Sequence, residues 1–214
     1  MTLLAKLMLA TVATMAAGTV QAKTPAPVQD KPVDCDSCKE WNAPVKPFNI
    51  YGNSWYVGTA GLSAVLVTSP QGHILLDGAL PQSAPLIVEN IKALGFRIED
   101  VKVILNSHAH WDHAGGIAAL QRASGATVVA SASGALGLQS GTNGKDDPQY
   151  QADPVVHVAK VAKVKVVGEG DTVKVGPLVL TAHMTPGHTP GGTTWTWTSC
   201  EGQRCLNVVY ADSL

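Results

Sequence analysis

The chain has 214 residues, 45% of them hydrophobic, and its formal net charge is −1 at pH 7. This apolar content supports a sizeable core in one domain or two fused half-domains and excludes general disorder. Because the charge shows no basic surplus, a nucleic-acid-binding surface is not expected. With 21 glycines and 13 prolines, the composition favours a β-rich fold with many tight turns.

The first 22 residues have the pattern of a secretory signal peptide. A short, weakly basic start precedes apolar and small residues at positions 7–18, and Val20 and Ala22 stand where a signal peptidase reads small residues. The apolar run is shorter than the roughly 20 residues that span a bilayer, which makes a membrane anchor the weaker interpretation. We therefore expect cleavage after Ala22 and a secreted protein, periplasmic if the source is Gram-negative.

Residues 23–47 are rich in proline and charge, and we expect an extended arm there before a domain over residues 48–214. Cys35 and Cys38 lie in this arm. A redox motif of this spacing normally opens a helix after a strand, and no such context surrounds these cysteines. A local or unassigned disulfide is therefore favoured, in agreement with an oxidising compartment.

Strands and helices alternate in the first part of the domain. Residues 63–68 and 73–77 flank a Pro-Gln-Gly turn and predict a β-hairpin. A stripe formed by Ile87, Ile91 and Leu94 predicts a helix over residues 84–94. The other predicted elements are a buried strand over 101–105, a helix over 115–123, a strand over 127–130 and a short helix over 131–138.

The second part of the domain is rich in strand-like runs. Two of these runs flank the segment Glu-Gly-Gln-Arg, which predicts the tip of a hairpin. Cys200 and Cys205 lie on either side of this tip, and we expect a disulfide across it. The predicted strands of this part cover residues 164–167, 172–175, 178–183, 193–198 and 206–211.

The densest group of potential metal ligands is the run H-A-H-W-D-H, which follows the buried strand over 101–105. In an extended segment, side chains two positions apart point the same way, so His108 and His110 can reach one metal ion. A turn after them directs Asp112 and His113 toward a second position. Imidazole and carboxylate without thiolate suit a catalytic zinc, and two zinc ions about 3.5–4 Å apart are a recognised hydrolytic arrangement. The alternative, a solvated histidine-rich turn, accounts less well for the complete motif.

A third histidine ligand for the first metal is predicted in T-P-G-H-T-P-G-G. Its two X-Pro turns and its glycines make a rigid loop between strands that presents the single imidazole of His188. Three histidines leave the fourth position of a tetrahedral zinc open, which is typical of a catalytic site.

Together, H-A-H-W-D-H and T-P-G-H-T-P-G-G resemble the metallo-β-lactamase superfamily, over a region from about Phe48 to Leu214. Further segments resemble class B β-lactamases of the third subclass, which has no cysteine ligand. These segments are Y-G-N-S-W-Y-V-G-T, G-H-I-L-L-D, D-P-Q-Y, the paired cysteines and Y-A-D-S-L. The resemblance implies an α+β fold, the four-layer αββα sandwich of this superfamily.

The resemblance also implies a two-zinc hydrolase that opens the β-lactam ring of penicillins, cephalosporins and carbapenems with metal-bound hydroxide and so confers antibiotic resistance. We expect a monomer that acts on a small-molecule β-lactam and binds neither nucleic acid nor membrane. The resemblance implies that the first zinc is bound by His108, His110 and His188 and the second by Asp112 and His113. Asp112 would also orient the nucleophile, and Asp77 would support the histidine loop. Ser213 would hydrogen-bond a water on the second zinc, and Gln149 would lie at the substrate pocket.

The chain departs from the family pattern in two respects. The second zinc of the family has one more histidine ligand, and we expect it to be absent here because His73, His157 and His183 are better interpreted as structural or exposed. We accordingly expect the sandwich to be incomplete in its second half and the 214-residue chain alone to be weakly active or inactive. Some relatives carry at Ala60 a cysteine paired with the arm, which leaves the pairing of the two arm cysteines open.

Two other functional interpretations remain. A different hydrolase of the same fold, acting on a thioester, lactone or phosphodiester, has the same metal motifs, and many such relatives bridge their metals with an aspartate at the position of Asp212. A non-enzymatic zinc-binding export protein would need a closed coordination shell. A serine hydrolase is disfavoured because the sequence has no G-x-S-x-G elbow.

Overall fold

A computed structural model describes residues 30–150 and 156–213. The predicted signal peptide and the start of the arm lie outside these ranges. The described strands are β1 (Phe48–Tyr51), β2 (Ser54–Tyr56), β3 (Val65–Val67), β4 (His73–Leu76), β5 (Val101–Leu105), β6 (Thr127–Ala130), β7 (Val164–Val166), β8 (Thr172–Val175), β9 (Leu178–Met184), β10 (Thr193–Glu201) and β11 (Arg204–Tyr210). The described α-helices are α1 (Cys38–Trp41), α2 (Ala84–Ala93), α3 (Trp111–Ala114), α4 (Ile117–Ser124) and α5 (Ala132–Ser140).

Strands β1 to β7 form one sheet in sequential order. The first four strands pair antiparallel, whereas β4 to β7 run parallel. The parallel strands are joined through helices because a return to the same end of a sheet needs a crossover of about a dozen residues or more. The carboxyl ends of β4 and β5 therefore lie side by side at one edge of the sheet.

Strands β8 to β11 form a second, antiparallel sheet. Alternate residues of β8, β9 and β10 are buried, as expected for a sheet with one covered face. On that face Leu180 and Trp195 are fully buried and pack with Ile74 of the large sheet, which joins the two sheets face to face. The predicted disulfide between Cys200 and Cys205 is present at the tip of the β10–β11 hairpin.

Helices cover the other face of the large sheet. Ile87 of α2 and Leu120 of α4 are fully buried in a second core cluster, together with Leu75. Strand β4 contributes to both cores because successive side chains, such as Leu75 and Leu76, point to opposite faces of a strand. The described residues thus form three successive layers of the predicted αββα sandwich: helices, large sheet and small sheet.

The outer face of the small sheet is open to solvent in the described ranges. Val179 and Val209 are 43% and 60% exposed there, and no described helix covers them. The expectation of a sandwich that is incomplete in its second half agrees with this arrangement. Within the same ranges, no helix is long and apolar enough to cross a membrane.

The described part of the arm, residues 30–47, is more structured than the expected extended segment. Cys35 and Cys38 form a local disulfide, and α1 starts at the second of them. The backbone N–H of Ala60 donates to the carbonyl of Ala43 at 3.0 Å, and Trp41 packs against the core on the helical side. A backbone hydrogen bond therefore docks the arm at the position where some relatives carry a cysteine.

Two further elements differ from those predicted from the sequence. The β1–β2 hairpin was not predicted, because its strands have only four and three residues and β1 is largely exposed. The helix predicted over 115–123 is present as α4, and the short helix α3, which was not predicted, precedes it across a break at a Gly-Gly pair. A Cβ atom at Gly116 would lie 2.2 Å from the carbonyl oxygen of Gly78, so the chain passes too close for any larger residue. The break leaves Asp112 and His113 on their own short helix.

Candidate metal centre

The candidate site lies where the ends of the two sheets meet. The histidine run follows β5, and His188 lies in the loop between β9 and β10. The backbone N–H of Thr193 donates to the carbonyl of Ser107 at 2.9 Å, which ties the two loops together. Residues from distant parts of the chain are thereby brought to one edge of the sandwich, as predicted.

The first group of potential ligands consists of His108, His110 and His188, each with a ligand atom within 4.8 Å of the others. His110 Nδ1 lies 3.1 Å from His188 Nε2. Two nitrogens that are each about 2.0–2.1 Å from a tetrahedral zinc lie about 3.3 Å apart, so this separation suits a shared ion. His108 Nε2 is buried without a hydrogen-bond partner, and a metal ion would satisfy it.

Carboxylates hold the opposite nitrogens of two of these rings. Asp212 Oδ1 lies 2.7 Å from His108 Nδ1, and both side chains are only 1% exposed. Both carboxylate oxygens of Asp147 lie 3.0 Å from His110 Nε2. A carboxylate on one ring nitrogen keeps the proton there and leaves the other nitrogen free to bind a metal. The three imidazoles therefore fit a zinc ion with one open position.

The second group consists of His108, Asp112 and His113, whose ligand atoms also lie within 4.8 Å of one another. Asp112 Oδ2 and His113 Nε2 are 3.8 Å apart. The sequence predicted Asp112 and His113 as one pair and His108 as a ligand of the other ion. The structure differs in that His108 lies between the two groups, within reach of both.

Asp77 supports the histidine loop from beneath, at the end of β4. It is fully buried, and its backbone φ of 59° lies in the left-handed region that a non-glycine residue rarely adopts. Five donors surround its carboxylate: the Asn106 side-chain amide, the Ser107 backbone N–H and hydroxyl, His113 Nδ1 and the Tyr210 hydroxyl, at 2.6 to 3.2 Å.

These contacts set the charge state of the network. Burial raises the pKa of Asp77, but the hydrogen bond and charge of His113 and the hydrogen bonds from Ser107 outweigh it, so its pKa lies below the ordinary value. Burial lowers the pKa of His113, but Asp77 more than compensates and raises it. Burial and the charge of Asp77 raise the pKa of Tyr210 well above its usual range. Asp77 is therefore an ionised acceptor, and Tyr210 is a protonated donor.

Two other predicted site residues, Gln149 and Ser213, lie close in sequence to residues of this centre, but no described contact of their side chains supports the predicted roles. Gln149 is exposed, and its backbone N–H donates to Asp147 Oδ1 at 2.8 Å. Ser213 is half-buried and directly follows Asp212. Their predicted functions, at the substrate pocket and on a zinc-bound water, remain predictions.

Sequence reasoning missed several residues that support the site. Asp147 was noted only as part of D-P-Q-Y, and Asp212 only as a possible bridge between metals. They lie 37 and 104 residues from their histidine partners in sequence, so no local spacing indicated the contacts. Asn106 and Tyr210 were also missed, although Asn106 lies only two residues before the motif that carried the metal prediction.

Comparison with known proteins agrees with the family resemblance of the two histidine motifs. A family model described as the Metallo-beta-lactamase superfamily matches residues 58–200. The curated hydroxyacylglutathione hydrolase of Anaeromyxobacter dehalogenans (strain 2CP-C) is 35% identical over 94 residues, which are 44% of this chain and 28% of that protein.

Solved structures are more similar. Rm3 metallo-beta-lactamase matches with a TM-score of 0.81 and 61% identity, over 85% of this chain and 66% of that chain. MEM-A1, a subclass B3 metallo-beta-lactamase isolated from a soil metagenome library, matches with a TM-score of 0.78 and 55% identity, over 81% of this chain and 65% of that chain. The present chain thus spans less than a third of the hydrolase and about two thirds of the two lactamase chains.

Proposed function

The chain belongs to the metallo-beta-lactamase superfamily, and from this premise we propose that it hydrolyses the β-lactam ring of penicillins, cephalosporins and carbapenems, with zinc as its cofactor, and thereby confers antibiotic resistance. The observation that carries the proposal is the convergence of His108, His110 and His188 beside Asp112 and His113. The similarity of the chain to subclass B3 enzymes at up to 61% identity supports the choice of substrate class.

We assign the first zinc to the three-histidine group and the second to Asp112 and His113. When bound, zinc polarises a carbonyl group and lowers the pKa of a coordinated water to about 7. Asp112 is the least buried of the carboxylates around the centre, with a side chain 24% exposed. It can therefore meet an incoming water, orient it by accepting a hydrogen bond and take up its proton.

The side chains around the ligands keep this arrangement in place. Ser107 donates its hydroxyl hydrogen to Asp77 Oδ2 at 2.6 Å in a buried position, so it braces the loop and is not available as a nucleophile. Gln149 and Ser213 are assigned to the substrate side of the centre. Because Ser107 is engaged with Asp77 and a zinc-coordinated water supplies the nucleophile, hydrolysis proceeds without a covalent acyl intermediate on serine.

Thioester hydrolysis is the second candidate, favoured by the similarity to hydroxyacylglutathione hydrolases at 33–35% identity. The two candidates share the metal group and differ in the substrate. Subclass B3 relatives align over 81–85% of this chain, whereas the hydrolases align over 44–51% of it. This wider match favours a β-lactam over a thioester as the substrate.

A direct comparison of substrates tests the proposal. The zinc-loaded full-length enzyme, for which the activity is proposed, is given nitrocefin, a carbapenem and a hydroxyacylglutathione thioester, and the initial rates are compared. We expect ring opening of the two β-lactams to exceed thioester cleavage. His188→Ala should abolish the activity, whereas His157→Ala, a change at an exposed histidine outside the site, should leave it intact. Thioester cleavage without ring opening would replace the first candidate by the second.

A further inference from the structure

The contact between Asp147 and His110 joins the loop after α5 to the metal centre. Both carboxylate oxygens of Asp147 lie 3.0 Å from His110 Nε2, and the two side chains are 7% and 5% exposed. The adjacent Asp146 is exposed. Asp147 is therefore turned inward from an otherwise solvent-facing segment to meet one histidine.

This contact determines which nitrogen of His110 faces the metal position. A carboxylate accepts hydrogen bonds and does not donate them, so the ring proton lies on Nε2. Nδ1 is then left unprotonated, and it is the atom that lies 3.1 Å from His188 Nε2. His108 has the opposite arrangement, because Asp212 holds its Nδ1 and leaves Nε2 free. The carboxylates thus select a different nitrogen on each ring.

The same carboxylate also shapes the loop that carries Gln149. Asp147 Oδ1 accepts the backbone N–H of Gln149 at 2.8 Å, and the Asp147 carbonyl accepts the N–H of Tyr150 at 2.9 Å. The residue between Asp147 and Gln149 is proline, which has no N–H to compete. One side chain therefore connects a metal-facing histidine to a four-residue turn beside the site.

We propose that Asp147 is a positioning residue with two connected effects. It directs His110 Nδ1 toward the metal, and it fixes the position of the turn that carries Gln149 relative to the metal centre. The proposal rests on the metal site of the proposed function and not on the identity of its substrate. A role confined to the turn would need only the hydrogen bond to Gln149. The bond to His110 would then have no effect on metal affinity.

Three substitutions separate these roles. Asp147→Asn keeps the size and an oxygen acceptor for the turn, but its NH₂ group can face His110 Nε2 and favour the wrong tautomer. Asp147→Ser retains a short oxygen acceptor for the turn and cannot reach His110. Asp146→Asn is the matched control, since it removes the neighbouring exposed carboxylate only.

The primary measurement is the zinc affinity of the full chain, determined by competition between the metal-free protein and a chromophoric chelator. Loss of a partner of this kind typically lowers metal affinity by about 10- to 100-fold. We expect such a loss in both Asp147 variants and less than a twofold change in Asp146→Asn. Wild-type affinity in Asp147→Asn and Asp147→Ser, or an equal loss in Asp146→Asn, would overturn the proposal.

A measurement on the unmodified protein keeps the proposal testable if the variants fail to fold. Long-range ¹H–¹⁵N correlation spectra of the zinc-loaded chain distinguish a metal-bound from a protonated ring nitrogen. We expect His110 to carry its proton on Nε2 and to bind zinc through Nδ1. Binding through Nε2 would contradict the role assigned to Asp147, whatever the catalytic activity of the protein.

Discussion

At the scale of single residues, the convergence of the three histidines and the place of Asp77 beside them were predictable, whereas the carboxylates that contact two of the histidine rings were not. His108, His110 and His188 are brought together as the motifs indicated, because histidine-rich loops at strand ends are a local property of the sequence. Asp147 and Asp212 reach their partners only through the tertiary fold. The position of His108 within reach of both groups likewise depends on the three-dimensional course of the loop.

The two ligand groups should respond differently to single substitutions. Asp112→Ala removes a ligand of the second group only, and we expect about one zinc per chain to remain, because the three histidines are intact. His188→Ala should reduce occupancy of the first position and retain affinity at the second. Zinc content after equilibrium dialysis measures both effects. Full occupancy in Asp112→Ala would remove Asp112 from the ligand set.

Tyr210→Phe tests the network beneath the loop. The Tyr210 hydroxyl donates to the buried, ionised Asp77 at 3.0 Å, and phenylalanine keeps the ring without the donor. Loss of a hydrogen bond to a charged group costs about 1.5–3 kcal/mol. We expect a decrease of this size in the free energy of unfolding in urea. Tyr51→Phe is the control, since the Tyr51 hydroxyl contacts an exposed backbone carbonyl. An equal decrease in that variant would show that the hydrogen bond to Asp77 contributes no more to stability than an exposed one.

At the scale of secondary structure, strands with a clear apolar pattern were predicted well. The bounds of β5, β6 and β8 are those expected from the sequence, because each is a short apolar or alternating run between turn residues. The strands of the β1–β2 hairpin, with four and three residues, are too short to show such a pattern. The helix α4 was predicted within two residues of its bounds, whereas the short helix α3 was not predicted. The close contact at the break between them, of Gly116 with Gly78, joins positions 38 residues apart and has no local signal in the sequence.

Gly116→Ala tests the importance of that break. The added Cβ atom would lie 2.2 Å from the Gly78 carbonyl oxygen, so the backbone must move. Overpacking of this kind typically costs about 1–3 kcal/mol, and we expect a lower thermal midpoint together with weaker zinc binding by Asp112 and His113. Gly168→Ala adds a methyl group at ordinary contact distance, 3.9 Å from Asp171 Oδ2, and should change neither property. Equal behaviour of the two variants would contradict the assigned role.

At the scale of the whole molecule, the sequence indicated two packed sheets with helices outside, and the structure contains these layers in the described ranges. The resemblance to the superfamily carried this prediction, whereas the apolar runs predicted only mixed helices and strands followed by a strand-rich part. The docking of residues 30–47 was not evident, because that segment is held by a local disulfide and backbone hydrogen bonds and has no periodic apolar face.

Zinc should stabilise the folded molecule as a whole. The metal group is assembled from loops of both sheets, so the unfolded chain cannot offer the same site. At free zinc about 100-fold above its dissociation constant, mass action adds about 2.7 kcal/mol to stability. We expect a zinc-dependent rise in the thermal midpoint that is lost in a His108→Ala, His188→Ala double variant and unchanged in His157→Ala. A rise that persists in the double variant would place the stabilising metal elsewhere.

The most direct test of the central claim is the dependence of β-lactam hydrolysis on zinc. Because the 214-residue chain alone is expected to be weakly active or inactive, the measurement uses the full-length enzyme. Carbapenem hydrolysis is followed before treatment with a chelator, after it, and after zinc is restored, each time with and without clavulanate. The account predicts that hydrolysis is insensitive to clavulanate, disappears with the metal and returns with zinc. Hydrolysis that survives metal removal, or a zinc-saturated protein that cleaves a hydroxyacylglutathione thioester and no β-lactam, would contradict it.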